Sequence, residues 1–478
     1  MTSRLLLLLI ALTGASFARP AREKPNIIVV FLDDCGYGDF SHTGNPTIHT
    51  PNITRMVSEG LNFPQFYTAS GACTASRYAL LTGRNPRRSG FGRWVLSPRA
   101  SRYLHPHEIT LAEGLRNQGY ATGFFGKWHL GNPNSHNDFT PDSLPLAHGF
   151  DLWEGTNVSN DYDPGADLIR SDPDGTTPVA GYTLIAEDII DKQPLHEELT
   201  KRYRDRALQF ISDQKENPFL LYLAPNMPHL PVFASSEFKG QSLRGRYGDC
   251  IEEIDEMMGA INTRLAAEGI AENTLVVFTS DNGPWIRFQD TASHPKYDEA
   301  RLLIGTALPF RDGKGSTWEG GVRVPGVWYW PGTIEPATVV RDPASTMDLL
   351  PTLFALAGED LPTGRTLDGR DIRAYLNREI WSDAPEDFSF IYTGASSNKI
   401  YGARKGAHKL HIRLYSQTGD NYGFTASRAN PLLFNVQTDP HERYDLSDSL
   451  PGIVSELNDL ISGFENSLNE EGTFWGNP

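Results

Sequence analysis

Cysteine is scarce: Cys35, Cys73 and Cys250 are the only three in 478 residues. Such a chain closes one disulfide at most, and its spacing holds neither a zinc-ligand pair nor a CxxC redox pair. A disulfide scaffold, a zinc finger and a thioredoxin-type centre are therefore excluded. Long apolar runs are missing too. The longest, residues 5–12, falls far short of the roughly 20 residues that a spanning helix needs, so no membrane insertion is expected. Positive charge is in deficit, with 43 Lys and Arg against 59 Asp and Glu, a formal net charge of −16. That balance argues against nucleic acid as a partner, and a polyanionic substrate would need a local basic site. There is no internal repeat and no low-complexity tract.

What is present begins with "MTSRLLLLLIALTGASFARP", where Arg4 precedes the short apolar run and small residues sit at Ser16 and Ala18. This pattern predicts a signal peptide over residues 1–18 and an exported protein, periplasmic or secreted, or lysosomal in a eukaryotic host. With so few cysteines, the mature chain must be held by its core.

Four apolar runs, the first of them β-branched, each lead into polar residues. "PNIIVVFLDD" ends at Asp33 and Asp34, "YATGFFGKWH" reaches Lys127 and His129, "NPFLLYLAPNMPH" reaches His229, and "NTLVVFTSDNG" reaches Asp281 and Asn282. Helical patterns ending in glycine lie between them, such as "TPNITRMVSEG", "EITLAEGLRNQG" and "YGDCIEEIDEMMGAINTRLAAEG". The alternation predicts an α/β fold with a large mixed, mostly parallel sheet sandwiched by helices, and ligands in such folds bind at the carboxyl ends of the strands. Residues 132–178, rich in Pro, Gly and Asp, read as long loops near that edge. From about residue 385 the chain changes to short strands followed by a helix around residues 453–469, which predicts a smaller C-terminal antiparallel sheet plus helix. The expected division is thus a catalytic part over 19–384 and a C-terminal subdomain over 385–478.

Asp33, Asp34, Asp281 and Asn282 together offer three carboxylates and one amide oxygen. An oxygen set of this kind suits calcium, or less well magnesium, and lacks the His and Cys ligands that favour zinc. Either pair alone would be read as turn or cap residues; two pairs delivered to one sheet edge are a metal site. In "CTASRYALLTGR", Cys73 precedes a helix and Arg77 follows one turn later on the same face. With Lys127 nearby, the surroundings suit a dense oxyanion better than thiolate chemistry, which calls for a histidine base and an acyl oxyanion hole.

These segments resemble the type I sulfatases, a formylglycine-dependent family on the alkaline phosphatase superfamily fold. "CTASRYALLTGR" is similar to their signature, with Ala75 as an allowed variant of the commoner proline, and "GFFGKWHLG" looks like their second motif. "NIIVVFLDDCGYGD" and "VVFTSDNG" match the metal segments, and "KGSTWEGGVRVP" matches the lysine loop. The pattern is most similar to the arylsulfatase A and N-acetylgalactosamine-6-sulfatase branch, and the resemblance extends to "LFNVQTDPHERYDL". It implies a sulfuric ester hydrolase in which a formylglycine-generating or sulfatase-maturing enzyme converts Cys73 to Cα-formylglycine. The hydrated aldehyde then attacks sulfur and afterwards expels sulfate. It further implies that Asp33, Asp34, Asp281, Asn282 and the modified Cys73 hold calcium, that Arg77 and Lys127 orient the nucleophile, and that His129 accepts its proton. His229 and Lys314 are implied to bind sulfate and protonate the leaving oxygen, and Ser159 to lie near the formylglycine. Cys35 and Cys250 read as structural.

The run "GRNPRRSGFGRWVLSPRASR" carries Arg84, Arg87, Arg88, Arg93, Arg99 and Arg102 without an acid. With Phe91 and Trp94 to stack on sugar rings, it is read as the local attraction for a sulfated glycan, a galactan or a galactosamine-containing glycosaminoglycan; aryl sulfates are the simpler alternative. Two other readings stay open at this level: a phosphate or phosphonate ester hydrolase on the same fold, and an inactive protein that binds sulfated glycans. Asn52 and Asn157 sit in glycosylation sequons.

Overall fold

The computed structural model describes residues 24–91, 95–97, 100–131, 133–135, 138–139, 141–159, 168–171, 182–184, 192–286, 304–381, 387–394, 399–416, 418–419 and 421–476. The predicted leader and the expected division at 384–385 lie outside them. So do residues 160–167 and 172–178 of the span read as loops.

A ten-stranded sheet organises the described residues. Its middle is parallel: strand Asn26–Leu32 lies between Thr274–Ser280 and Phe219–Ala224, with Ala121–Gly126 and Leu152–Thr156 beyond the latter. Val327–Tyr329 joins the other side antiparallel. The first strand shows why such runs are continuous in apolar residues. Ile27, Val29 and Phe31 enter the core on one face, Ile28, Val30 and Leu32 enter the core on the other, and every residue of the strand is buried. Helices cover both faces. Arg246–Ala267 packs on Lys192–Gln214 and on Pro51–Glu59, while Leu111–Asn117 packs on Leu349–Ala357. The expected mostly parallel sheet with helices on both faces is therefore present.

Four strands depart from expectation: Pro133–Ser135, Asp138–Phe139, Leu152–Thr156 and Leu168–Ser171. Leu152–Thr156 falls inside the span read as loop, yet it pairs in parallel with Ala121–Gly126. A side chain at Gly155 would lie 1.7 Å from the Gly126 carbonyl oxygen, and one at Gly126, whose φ is 127°, would lie 1.9 Å from that of Ala224. Both glycines permit three strand ends to approach closely just before Lys127.

The C-terminal strands Ser389–Thr393, Ile400–Lys405, His408–His411 and Leu432–Asn435 form a separate antiparallel sheet. Helix Pro451–Glu471 packs over it through Leu457 and Ile461.

Candidate active site

Strand register assembles the site. Leu32 lies opposite Ser280, so Asp33 and Asp281, the next residue on each strand, emerge side by side. Ala224 lies opposite Gly126, which brings Lys127 out beside them. The Asp281 amide donates to Leu32 O at 2.9 Å and the Lys127 amide to Ala224 O at 2.8 Å, so the ladder fixes the first residue past each strand. Asp34 and His129 then adopt left-handed backbone at φ 62° and 56°. A non-glycine residue there is strained, and two such residues at one sheet edge fit a site that over-determines its geometry.

Helix Cys73–Thr82 runs into this edge, with all ten residues buried and Gly83 closing it in left-handed conformation at φ 67°. Cys73 is its first residue. The Cys73 thiol lies with oxygens of Asp33 and Asp34 and a ring nitrogen of His229, all within 4.8 Å of one another. One turn on, Arg77 is fully buried and donates to Asp281 at 2.7 Å and to Lys127 O at 2.9 Å, with Asp33 at 3.4 Å. Lys127 Nζ reaches Asp33 at 2.6 Å and Ser159 Oγ at 3.3 Å, and Ser159 Oγ lies 3.4 Å from His229 Nε2. Lys314 Nζ donates to Asp34 at 2.7 Å. Its loop is tied to the signature segment by the Gly315 amide on Gly71 O at 2.7 Å. The eleven residues named from the sequence for catalysis or metal binding therefore lie together at this edge.

His129 is set slightly apart. Its Nε2 lies 3.1 Å from Leu96 O, and Thr74 Oγ1 donates to its carbonyl at 3.0 Å. A carbonyl only accepts, so Nε2 carries the ring proton and Nδ1 is the basic nitrogen. His229 has the opposite arrangement, Nδ1 against Leu230 O at 2.6 Å and Nε2 facing Asp34 at 3.4 Å. Burial lowers the pKa of both imidazoles, with Lys127 and Arg77 adding to it at His129 and Lys314 at His229. Both rings are neutral at neutral pH.

The charges decide between chemistries. Burial pushes the Cys73 thiol up to about 12, only partly offset by Lys127 and Lys314, so an unmodified Cys73 is no thiolate nucleophile. Burial also disfavours ionised Asp33, but Lys127, His229 and Arg77 outweigh it and hold that carboxyl well below its usual range. At Asp281, burial and the like charge of Asp33 win, pushing it up to about 7. Burial disfavours a charged Lys314, yet Asp34 reverses this and raises its pKa.

The donors fit a hard cation. Asp33 Oδ1 and Asn282 Oδ1 are buried and accept no hydrogen bond, although their neighbouring atoms are engaged: Asn282 Nδ2 donates to Asp34 at 2.7 Å. Three carboxylates, Asp33, Asp34 and Asp281, face three cations, Arg77, Lys127 and Lys314. With neutral histidines and all three carboxylates ionised, as a bound cation would keep them, the side chains sum to zero, so a divalent ion would leave a net +2 for an anionic ester. Only one histidine stands among the four grouped donors, which does not suit the histidine-rich two-metal site of the phosphatase reading.

Two sequence readings need correction or completion. Arg84 and Arg88 do not attract substrate: both are buried, Arg84 paired with Glu108 at 2.9 Å and with Glu471, Arg88 with Asp368 at 2.8 Å and Glu471 at 2.7 Å. Arg102 donates to Gly90 O, and Phe91 is buried edge-on against Tyr78. This stretch binds the end of the last helix to the catalytic core. Arg93, Trp94 and Arg99 lie outside the described residues. The sequence reading also passed over Trp285, whose ring lies 4.7 Å below Lys314 Nζ and 5.8 Å from the His229 ring. Its signal was its place, three residues after Asn282. Of the sequons, Asn157 is buried and the Asn52 amide donates to Asp255 at 2.9 Å. Cys35 and Cys250 are buried and unpaired, as the structural reading expects.

A buried cluster of balanced charge with open oxygens, at the carboxyl ends of a mostly parallel sheet, suits a hydrolase of anionic esters. The Sulfatase family model matches residues 25–359, and the chain belongs to the sulfatase family. It is 37% identical to arylsulfatase A of Bos taurus over 470 residues, covering 93% of this chain and 88% of that one. It is 34% identical to N-acetylgalactosamine-6-sulfatase of Mus musculus over 501 residues, 97% and 90% of the two chains. Among solved structures, Ps i-CgsB in complex with k-i-k-neocarrahexaose superposes with a TM-score of 0.71 at 26% identity, covering 95% of each chain. The protein is thus a sulfuric ester hydrolase of a family that generally works with calcium and formylglycine. No helix among the described residues is long and apolar enough to cross a membrane.

Proposed function

We propose that this sulfatase is exported and removes sulfate from a sulfated carbohydrate, of galactan or galactosamine-containing glycosaminoglycan type, after a maturation enzyme has converted Cys73 to formylglycine. The observation that carries this reading is Cys73 at the start of a buried helix, within 4.8 Å of oxygens of Asp33 and Asp34 and of His229. Asp33, Asp34, Asp281 and Asn282 would hold calcium, with the two oxygens that accept no hydrogen bond among their donors. Bound there, calcium and the hydrated aldehyde supply, respectively, charge neutralisation at the sulfate and the attacking oxygen.

The chain's own residues do the rest. Arg77 and Lys127, pinned by Asp281 and Asp33, orient the group at position 73. Lys314, kept charged beside Asp34, brings positive charge to the sulfate. His129, neutral with Nδ1 basic, accepts a proton from position 73 as the sulfate is released. His229 presents Nε2 toward Asp34 and Ser159, and with Lys314 it binds the sulfate and serves the departing oxygen. Because His229 is neutral, donation from Nε2 requires that the ring first take up a proton.

Support for a carbohydrate comes from the named substrates of the relatives, since Arg84, Arg88 and Arg102 are engaged within the protein. Two measurements test the reading together. Mass analysis of the tryptic peptide spanning residues 56–77, in protein from its native host, should show formylglycine at position 73. The same protein should release sulfate from carrageenan or glycosaminoglycan oligosaccharides. An unmodified thiol in active enzyme removes the nucleophile proposed; turnover of aryl sulfates alone removes the carbohydrate.

A further inference from the structure

We infer that Trp285 is the specificity-determining platform of this site, the surface on which the sugar ring bearing the sulfate is held; the inference rests on the carbohydrate reading above. The residue belongs to a clamped segment. The Gly283 amide donates to Gly321 O at 3.0 Å and the Lys314 amide to Pro284 O at 2.9 Å, so the backbone leading to Trp285 is locked to the lysine loop from both sides. The indole then touches the two groups assigned to sulfate and leaving oxygen. Lys314 Nζ sits 4.7 Å over its ring while bonded to Asp34, and His229 meets it edge to face at 5.8 Å and 81°.

Its exposure differs from that of its surroundings. Asp281 through Pro284, His229 and Lys314 are all buried, whereas Trp285 is half-buried. The ring packs in part against the apolar core beneath the sheet and in part stays exposed beside the charged cluster. It offers a rigid flat face beside the point where the leaving oxygen departs, and aromatic residues in that position fix the orientation of ligands in otherwise polar sites. The atom that leaves sulfur is bonded to the carbon skeleton of the substrate, so the surface next to Lys314 and His229 meets that skeleton first. Arg84, Arg88 and Arg102 do not take this role, because the first two are buried in ion pairs and the third is engaged with the backbone.

The test separates a platform from a mere prop for Lys314. The full chain carrying Cys73→Ala, which cannot turn over, is titrated with N-acetylgalactosamine-6-sulfate, with a carrageenan tetrasaccharide and with inorganic sulfate. A further Trp285→Leu change should weaken the sulfated sugars about tenfold while inorganic sulfate changes less than about twofold, and Trp285→Phe should recover most of the loss. Parallel weakening of sugar and inorganic sulfate means that Trp285 only supports Lys314, and overturns the inference. Unchanged sugar affinity overturns it as well. If the Cys73→Ala protein with Trp285 intact binds inorganic sulfate but neither sugar, the carbohydrate reading fails and the platform fails with it. Thermal unfolding of each variant reports whether the fold is retained, and the Phe variant keeps the comparison valid should Leu destabilise the loop.

Discussion

Two fully buried clusters of charge flank the same short loop, and they differ in one respect. At its start, Lys314 belongs to the cluster of Asp33, Asp34, Asp281, Arg77 and Lys127, where Asp33 Oδ1 and Asn282 Oδ1 accept no hydrogen bond. At its end, Glu319 belongs to a cluster with Lys409, Glu442, His411 and Arg323, where every carboxylate oxygen accepts one. Glu319 takes Lys409 at 2.9 Å on one oxygen and Tyr67 at 2.6 Å on the other. Glu442 takes His411 at 2.8 Å and the Glu319 amide at 2.7 Å. Burial of charge is equal in the two. Open acceptor capacity is what separates a group of residues awaiting a ligand from one that has finished its work by holding the C-terminal sheet to the core.

The largest effect expected from this difference is on metal removal. If the open oxygens are calcium donors, dialysis against EGTA should abolish sulfate release, and calcium should restore it better than magnesium, because the set is oxygen-rich and held by strand ends. Thermal unfolding should shift down in parallel, since an ion that binds only the folded state stabilises it by mass action. Full activity in protein shown by elemental analysis to be metal-free would erase the distinction between the clusters.

Next in size is Lys409→Met. It leaves Glu319 and Glu442 buried without their shared cation, and breaking a buried pair in this way costs about 3–5 kcal/mol. Urea unfolding should register that loss. Below the lowered unfolding temperature, the variant should still turn over substrate once its Cys73 has been converted. Loss of turnover in folded, converted protein would mean that the second cluster reaches into the chemistry.

Why one cluster was legible in the sequence and the other was not follows from distance along the chain. Asp33, Lys127, His229 and Asp281 each follow an apolar run, so local pattern placed them at or just past strand ends before any pairing was known. The strand Leu152–Thr156 was missed because "LWEGT" carries Glu154 and Gly155 at its centre, and only the close approach of Gly126 explains that glycine. The arginine run misled for a related reason. No acid lies within it, but Glu108, Asp368 and Glu471 neutralise Arg84 and Arg88 from 24, 280 and 383 residues away. Local charge is a surface signal only until the fold supplies partners. Glu319, Lys409 and Glu442 are invisible as a group for the same reason.

The smallest expected effect is the pH dependence that Glu319 contributes from the second cluster. Burial opposes ionisation of Glu319, but Lys409, Arg323 and Arg404 outweigh it and bring its carboxyl from an ordinary 4.5 down to about 2. A carboxyl depressed in the folded state adds stability that is complete above its unfolded pKa and is lost as pH falls toward the folded one, here between about 4.5 and 2. The limiting contribution is on the order of 3 kcal/mol. His411, lowered by burial despite its bond to Glu442, acts in the same direction from a higher starting point, because the unfolded ring gains a proton first as pH drops below 6.5. Glu319→Gln cannot ionise, so it should be less stable than the parent at pH 7, and the gap should narrow steadily below pH 4.5 as the parent loses its charge. Urea midpoints at pH 7, 5.5, 4 and 3 measure that gap. Parallel curves would mean that Glu319 carries no charge-linked stability, and that its bonds to Tyr67 and Lys409 hold equally well when the carboxyl is neutral.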